Sequence, residues 1–424
     1  MWDFKKKLTL LCCIGYSFVA AGQATKTPLS SLGIGEYYGN ALAHQQGMAG
    51  LGISNGSYWY LNNVNPALLV YNRWTVFEGG MLAERRTVRD NSVSETNSDA
   101  NLNYLALGFP VMRNRWSTAL GLSPLSSVKY QFQYQANVDN STAQVLVEET
   151  GRGGINQFYW ANGVSVHKNV SVGMRASYLF GSLETLYRNE LINSGQPVTF
   201  IPTITEDYYV RDFDFTLGVS YHTDSLFNRK LKFNAGIVYD FQADINATRS
   251  AVLRQTSNFQ GTSRTDSLIR DQPDQITLPS SIGVGMSVGK GEKWLAGVDF
   301  YYYDYRSFRS FEARPVQTDA AWRLVVGGEF TPDPTALGSY LKRITYRTGA
   351  SLEKSPYLIN GRAIQDFGIN FGLSMPVSRS SSLDFGFRTG RRGSLAENLI
   401  TENYFKVYLG VTFNDQWFIK RKFD

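Results

Sequence analysis

The chain is 424 residues long, with 43% hydrophobic, 14% aromatic and 18% charged residues and a formal net charge of +6. So low a charged fraction, beside 39 glycines, sits poorly with soluble domains, which average roughly 25% charged residues. No run of about eighteen apolar residues follows the N-terminus, which excludes helical membrane spans, and the charge left after the N-terminal lysines makes no case for nucleic acid.

The first element reads as a targeting segment. Lys5, Lys6 and Lys7 form a charged start, Leu8 to Val19 an apolar stretch, and Ala20, Ala21 and Gly22 a run of small residues. Residues 1–22 are therefore expected to be a signal peptide cleaved between Gly22 and Gln23. Both cysteines, Cys12 and Cys13, fall inside it, which leaves the mature chain without a disulfide or a thiolate metal site. A lipid anchor at Cys12 is the rival reading, although only Leu8 to Leu11 would precede it as an apolar stretch. Residues 23–73 show no alternation and are rich in Gly and Asn. They run from Ser30-Ser31-Leu32-Gly33-Ile34-Gly35 to Asn65-Pro66-Ala67-Leu68-Leu69, too apolar for a free tail, and are expected to form a plug inside whatever follows.

From Trp74 to Phe413 one pattern recurs: stretches of about ten residues with apolar and polar residues alternating, then a polar break. Period two gives a strand with two unlike faces. In Tyr404 to Phe413 the residues Phe405, Val407, Leu409, Val411 and Phe413 share one face, and Tyr404, Lys406, Tyr408, Gly410 and Thr412 the other. Such stretches lie near Trp74, Leu102, Trp116, Ile155, Val170, Phe213, Lys232, Ile282, Trp294, Trp322, Ile344, Ile364, Leu383 and Tyr404. The connections alternate in length, with 83–100, 135–152, 182–206, 241–279 and 304–320 long and those between them short, until 331–343, of intermediate length with Pro332 and Pro334, breaks the contrast and the last three are all modest. Alternating faces with loop lengths segregated by parity predict an all-β fold, a transmembrane antiparallel β-barrel of about fourteen strands with an N-terminal plug, set in the cell outer membrane and its lipids. Aromatic clusters at Tyr58-Trp59-Tyr60, Phe158-Tyr159-Trp160, Phe300-Tyr301-Tyr302-Tyr303 and Trp417-Phe418 read either as membrane-surface girdles or as ordinary cross-strand pairs. Residues 414–424 are expected to be a periplasmic C-terminal tail.

For chemistry the sequence is thin. His44, His167 and His222 have neither metal-ligand spacing nor a Ser-His-acid arrangement, so no catalytic residue, metal or cofactor is expected. Alternation places Arg175, Asp214, Asp299, Arg323, Glu329, Arg347, Asp366, Asp384, Arg388 and Lys406 in the lumen. Both signs occur, and pairing with one another and with the plug is favoured over binding a ligand headgroup.

The Asn65-Pro66-Ala67 end of the plug resembles the N-terminal hatch of the FadL-type outer-membrane transport family. The likeness continues through Phe109-Pro110-Val111, Trp116 to Tyr130, and Gly153-Gly154-Ile155-Asn156-Gln157 to Tyr178-Leu179-Phe180-Gly181-Ser182. The resemblance implies a barrel of fourteen strands, closed by its hatch, that passively takes up hydrophobic compounds such as long-chain fatty acids. It also implies a kinked third strand that opens sideways into the membrane, which falls here at Ser123 and Pro124. Since proline cannot donate to a ladder, Pro124 predicts a bulge or gap in the wall, and a bulge that merely bends the barrel is the alternative. PorV-like accessory barrels are relatives of this family, and barrels of the Bacteroidetes look similar to this chain. They imply a second reading: a non-channel subunit or shuttle of an outer-membrane protein secretion or assembly complex. An apolar, lipid-sized cavity would mark the first function, and a filled lumen with partner-covered surfaces the second.

Overall fold

The computed structural model describes residues 25–415 apart from 139–142, 193–199, 225–230, 258–262, 312–314 and 399. The expected signal peptide, Trp417 and Phe418 lie outside the described residues. A two-residue strand, β1 (Glu36–Tyr37), precedes a long run of wall strands. These are β2 (Thr75–Arg89), β3 (Ser94–Met112), β4 (Trp116–Asn137), β5 (Gln144–His167), β6 (Val170–Ile192), β7 (Phe200–Thr223), β8 (Lys232–Asp240) and β9 (Ala243–Ser257). They continue as β10 (Ser263–Leu278), β11 (Ser281–Lys290), β12 (Trp294–Tyr303), β13 (Ala321–Phe330), β14 (Thr345–Ile359), β15 (Arg362–Pro376), β16 (Ser381–Ser394) and β17 (Ile400–Asp415).

Each wall strand pairs antiparallel with its neighbour, and β17 returns to pair with β2, from Asp415↔Thr75 to Thr401↔Arg89. β8 and β9 are two halves of one stave, because β7 pairs with β8 at one end and with β9 at the other. The same holds for β10 and β11, broken at Pro279 and Ser280 and paired with β9 and β8 in turn. With β1 set apart, the wall is a closed antiparallel barrel of fourteen staves. Closure removes the unpaired edges that a hydrocarbon environment could not satisfy.

Alternation decides which face of each strand looks out. On β17, Phe405, Leu409 and Phe413 are exposed outside while Tyr404, Tyr408 and Thr412 are buried inside. On β15, Phe367, Ile369 and Phe371 face out, and Asp366, Asn370 and Ser374 face in. The expected aromatic triplets divide by the same rule: Phe158 and Trp160 are exposed and Tyr159 is buried. Tyr58-Trp59-Tyr60 corrects the girdle expectation, because it belongs to the inner N-terminal segment, where Trp59 Nε1 reaches Ser382 Oγ at 3.4 Å.

Four of the five long connections are corrected as well. The chain continues through them as strand, so β2 runs to Arg89, β3 begins at Ser94, and β5 and β7 reach 24 residues each. β12 and β13 have only 10 residues, about what crosses a bilayer. The staves from β4 to β10 therefore stand well above the rest as a tall wall. In that extra height the outer face no longer meets lipid and takes polar residues, so the alternation that signals a membrane strand in sequence is lost, although Val128, Tyr130, Tyr208 and Val210 still form an apolar inner face. The connection 304–320 does remain a loop. It folds inward, burying Tyr305, Phe308 and Phe311 against Tyr208, Ile245 and Ile276 at the tall end.

A tall wall has two edges, and both gain backbone partners over part of their length. On the β4 side, the ladder to β3 stops at Leu105↔Leu122. Beyond it the N-terminal segment supplies the missing partners: Tyr38 N donates to Leu125 O at 3.1 Å and Thr27 N to Lys129 O at 2.9 Å, while β1 pairs with Ser126 and Ser127. On the β10 side, Thr277 and Arg309 exchange backbone bonds of 2.9 and 3.4 Å with the inward loop.

Candidate functional site

The interior is the place to look for function, and residues 25–72 occupy much of it. A short 3-10 helix, Pro66–Tyr71, begins where Asn65 caps it: Asn65 Oδ1 accepts from Ala67 N at 3.0 Å, with proline at the first position. Asn65 Nδ2 donates to Ile53 O at 2.8 Å and to Val219 O on β7 at 3.2 Å. The Asn65-Pro66-Ala67 motif thus ties the segment to itself and to the wall, with Asn65 and Ala67 fully buried.

From there the segment winds around the lumen on a belt of inward-facing glycines. Gly163 and Gly173 lie against Pro66 and Ala67, Gly218 against Asn65, and Gly236 and Gly285 against Ile53. Gly327 and Gly349 lie against Met48, Gly372 against Gly47 and Gly410 against Ala43. A methyl group added at Gly163, Gly327 or Gly349 would sit 2.6, 2.7 or 2.5 Å from backbone atoms of the segment. These residues are glycine because backbone meets wall there with no room for a side chain. Met48, Leu51, Ile53, Leu68 and Leu69 are almost wholly buried at this level.

Most of the lumen charges are engaged, some by an opposite charge and some by backbone or hydroxyl groups, while Asp214 forms no ion pair among the described residues. Asp299 accepts from Gly52 N and Ile53 N at 2.8 and 2.9 Å, and Arg175 donates to Asn63 O at 2.7 Å and Thr216 Oγ1 at 2.8 Å. Arg323 Nη2 donates to Ala49 O at 2.9 Å. Arg347 meets Glu329 at 2.9 Å, bonds Ser374, which in turn bonds Asp384, and lies over the Tyr60 ring at 5.5 Å. Asp366 holds Arg388 at 3.3 Å and Arg392 at 3.0 Å and accepts from Tyr404 Oη. Lys406 lies 3.4 Å from Glu36 and 3.6 Å from Glu84.

The centre of this network is a residue that alternation did not single out. Arg86, fully buried, meets Glu36 at 2.8 Å, Glu84 at 2.6 Å and Glu402 at 2.9 Å. Glu36 also reaches Arg392 at 3.1 Å, so one carboxylate of the N-terminal segment gathers cations from β2, β16 and β17. Arg86 and Glu84 fall in the stretch expected to be the 83–100 loop, and Glu36 in a segment with no period. Only the cluster Glu84-Arg85-Arg86 itself was there as a signal.

Ser123 and Pro124 sit on β4 just past the end of the β3 ladder, and the β4–β5 register shifts between Pro124 and Ser126. The predicted bulge and the ladder break coincide. The seam is spanned by the N-terminal segment and by Lys129–Asp99 at 2.5 Å and Asn101 Nδ2 to Tyr38 Oη at 2.8 Å. A cavity of about 630 Å³ opens at the other end of the barrel, where the turns are, lined by Tyr58, Arg73, Trp74, Arg113, Asn114, Lys232 and Glu292. His44 is buried in the segment and stacks on Tyr60 at 4.4 Å.

Solved structures share this architecture. The toluene transporter TodX of Pseudomonas putida is 14% identical over 90% of this chain and 100% of its own, with a TM-score of 0.61. The toluene transporter TbuX of Ralstonia pickettii is 11% identical over 89% and 99%, with a TM-score of 0.60. A FadL homologue of Pseudomonas aeruginosa is 11% identical over 90% and 99%, with a TM-score of 0.58. The FadL-type resemblance therefore holds for the fold, an outer-membrane β-barrel. No curated protein matches the chain in sequence. The BamG family model matches residues 4–424, essentially the whole chain, and the protein belongs to the BamG family.

Proposed function

We propose that the protein is a closed barrel acting as a non-channel subunit of an outer-membrane protein secretion or assembly complex. The observation that carries this reading is the filled lumen. Backbone is wedged on a glycine belt, the charges above it are paired, and the tall end is packed with the protein's own Tyr305, Phe308 and Phe311. A barrel that only has to hold its shape and present surfaces needs no free lumen. The 630 Å³ cavity sets Arg73, Arg113, Lys232 and Glu292 around Tyr58 and Trp74, and an apolar solute entering it would have to desolvate those charges.

A second reading, passive uptake of a hydrophobic compound such as a long-chain fatty acid, is favoured by the ladder break beside Ser123 and Pro124. It is also favoured by fold neighbours described as transporters or channels for toluene and monoaromatic hydrocarbons. Under it, residues 25–38 would leave the β4 edge to open a sideways exit.

Purification in mild detergent from the native membrane separates the two. A stoichiometric protein partner and no bound lipid or hydrocarbon is the expected result. A bound fatty acid or hydrocarbon in a barrel that brings down no protein would overturn the subunit reading.

A further inference from the structure

The cavity at the turn end is built unlike the rest of the interior. Elsewhere inside, most charges are engaged by an opposite charge or by backbone and hydroxyl groups. Here Arg73, Arg113 and Lys232 are exposed and form no ion pair among the described residues, and the nearby carboxylate, Glu292, lies beside the Tyr58 hydroxyl.

The three cations come from far apart in the fold. Arg73 ends the N-terminal segment, Arg113 lies in the β3–β4 turn, and Lys232 begins β8, around the wall. Side chains from opposite sides of the wall can line one cavity only across the barrel mouth. The concavity therefore faces the aqueous space at the axis and not the bilayer, with Tyr58 and Trp74 as its aromatic floor. The surrounding turns add Arg115, Lys168, Lys290, Lys293, Lys342 and Arg343, against Asp224, Asp333 and Asp415. Asp333 is already engaged by Thr335 N and Oγ1 at 3.0 and 2.8 Å. By loop parity the short-turn end is periplasmic. An unpaired cluster of one sign in a concavity focuses the field on ligands of the other sign.

We infer that this vestibule is a docking site for an acidic peptide segment of a periplasmic partner, held by Arg73, Arg113 and Lys232 and stacked on Tyr58 and Trp74. Three observations favour a peptide over a lipid headgroup: the axial position, the volume of about 630 Å³, and the aromatic floor. Carboxylates on an extended segment would pair with the guanidinium groups in the bidentate geometry that arginine favours. The inference rests on the subunit reading only in taking the ligand to be part of a protein.

The test uses the full chain in detergent, with fluorescein-labelled hexaglutamate as the probe and anisotropy as the readout. We expect saturable binding that weakens as salt is raised and that falls about tenfold or more in the Arg73→Glu/Arg113→Glu/Lys232→Glu variant. The rim variant Lys342→Glu/Arg343→Glu should bind within about twofold of wild type, since those two residues do not line the cavity and charges in open water are screened by salt. Folding of each variant is checked by the faster migration of the unheated barrel in gels, and Arg73→Gln alone supplies a milder second variant.

Equal weakening in both multiple variants would reduce the effect to diffuse attraction and overturn the site. Equal binding of hexalysine, or hexaglutamate binding that ignores the triple variant, would do the same. Displacement of hexaglutamate by phosphatidylglycerol micelles at matched charge would make the site a headgroup site and overturn the peptide. Tighter binding after removal of residues 416–424 would make the chain's own C-terminus the occupant. A partner retained equally by wild type and triple variant overturns this inference while the subunit reading stands. Hexaglutamate binding that needs the three cations, in a protein that brings down no partner, supports the site while the subunit reading falls.

Discussion

The N-terminal segment is held at two levels by opposite physics. Along residues 43–67 it rests on glycines, backbone against wall, with the fit set by the absence of side chains. At Glu36 it is held by charge, with Arg86, Arg392 and Lys406 converging on one carboxylate and Glu84 and Glu402 completing the set. The belt is steric, short-ranged and indifferent to salt. The ion layer depends on every partner being present, because a buried charge left alone is costly while a complete set roughly offsets its own desolvation. A segment that must stay put is better served by the belt, and one that must be positioned in register by the ion layer. Here β1 has to meet Ser126 and Ser127 at the open β4 edge, which is a matter of register.

The comparison can be broken most severely at Arg86. Arg86→Met leaves Glu36, Glu84 and Glu402 without their common partner and should cost about 3–5 kcal/mol, read as a lower temperature for loss of the compact gel species. Adding Glu402→Gln to it should recover part of the loss, because one orphaned charge is removed with its partner.

Gly349→Leu attacks the belt instead and should cost about 3 kcal/mol by forcing Met48 away from the wall. Its signature is faster trypsin cleavage after Lys26, insensitive to salt, whereas the cleavage caused by Arg86→Met should depend on ionic strength. Asp299→Ala removes the acceptor of two buried N–H groups, Gly52 and Ile53, for about 2 kcal/mol in chemical unfolding. Asn65→Ala loses a helix cap and two bonds to carbonyls and should cost about 1–2 kcal/mol by the same measurement. Pro124→Val is the mildest, under about 1 kcal/mol, since the edge it sits on is already bonded by Tyr38 and β1. A Pro124→Val protein that retains its copurifying partner but loses hydrocarbon uptake would move the weight to the transport reading.

Much of the fold was legible because a barrel writes itself into sequence as a period. The lipid-facing half of every strand must be apolar and the inner half must not, so Phe405 to Phe413 and Phe367 to Met375 declared their faces without any knowledge of neighbours. The same argument placed Asp299, Arg347, Asp366, Arg388 and Lys406 inside. It failed where that constraint lapses. Above the bilayer both faces of the strands meet water or protein, and strand residues such as Glu84 and Arg86 on β2 looked like loop.

By itself, then, the chain determined the number of staves, the faces of the strands and the position of the Pro124 bulge, since each follows from local chemistry against a fixed surrounding medium. Which residue pairs with which was decided only when the barrel closed. Glu36 found Arg86 and Glu402, Met48 found Gly327 and Gly349, and Arg73, Arg113 and Lys232 met across the mouth. Those partners are far apart in sequence, and nothing but closure of the cylinder brings them together.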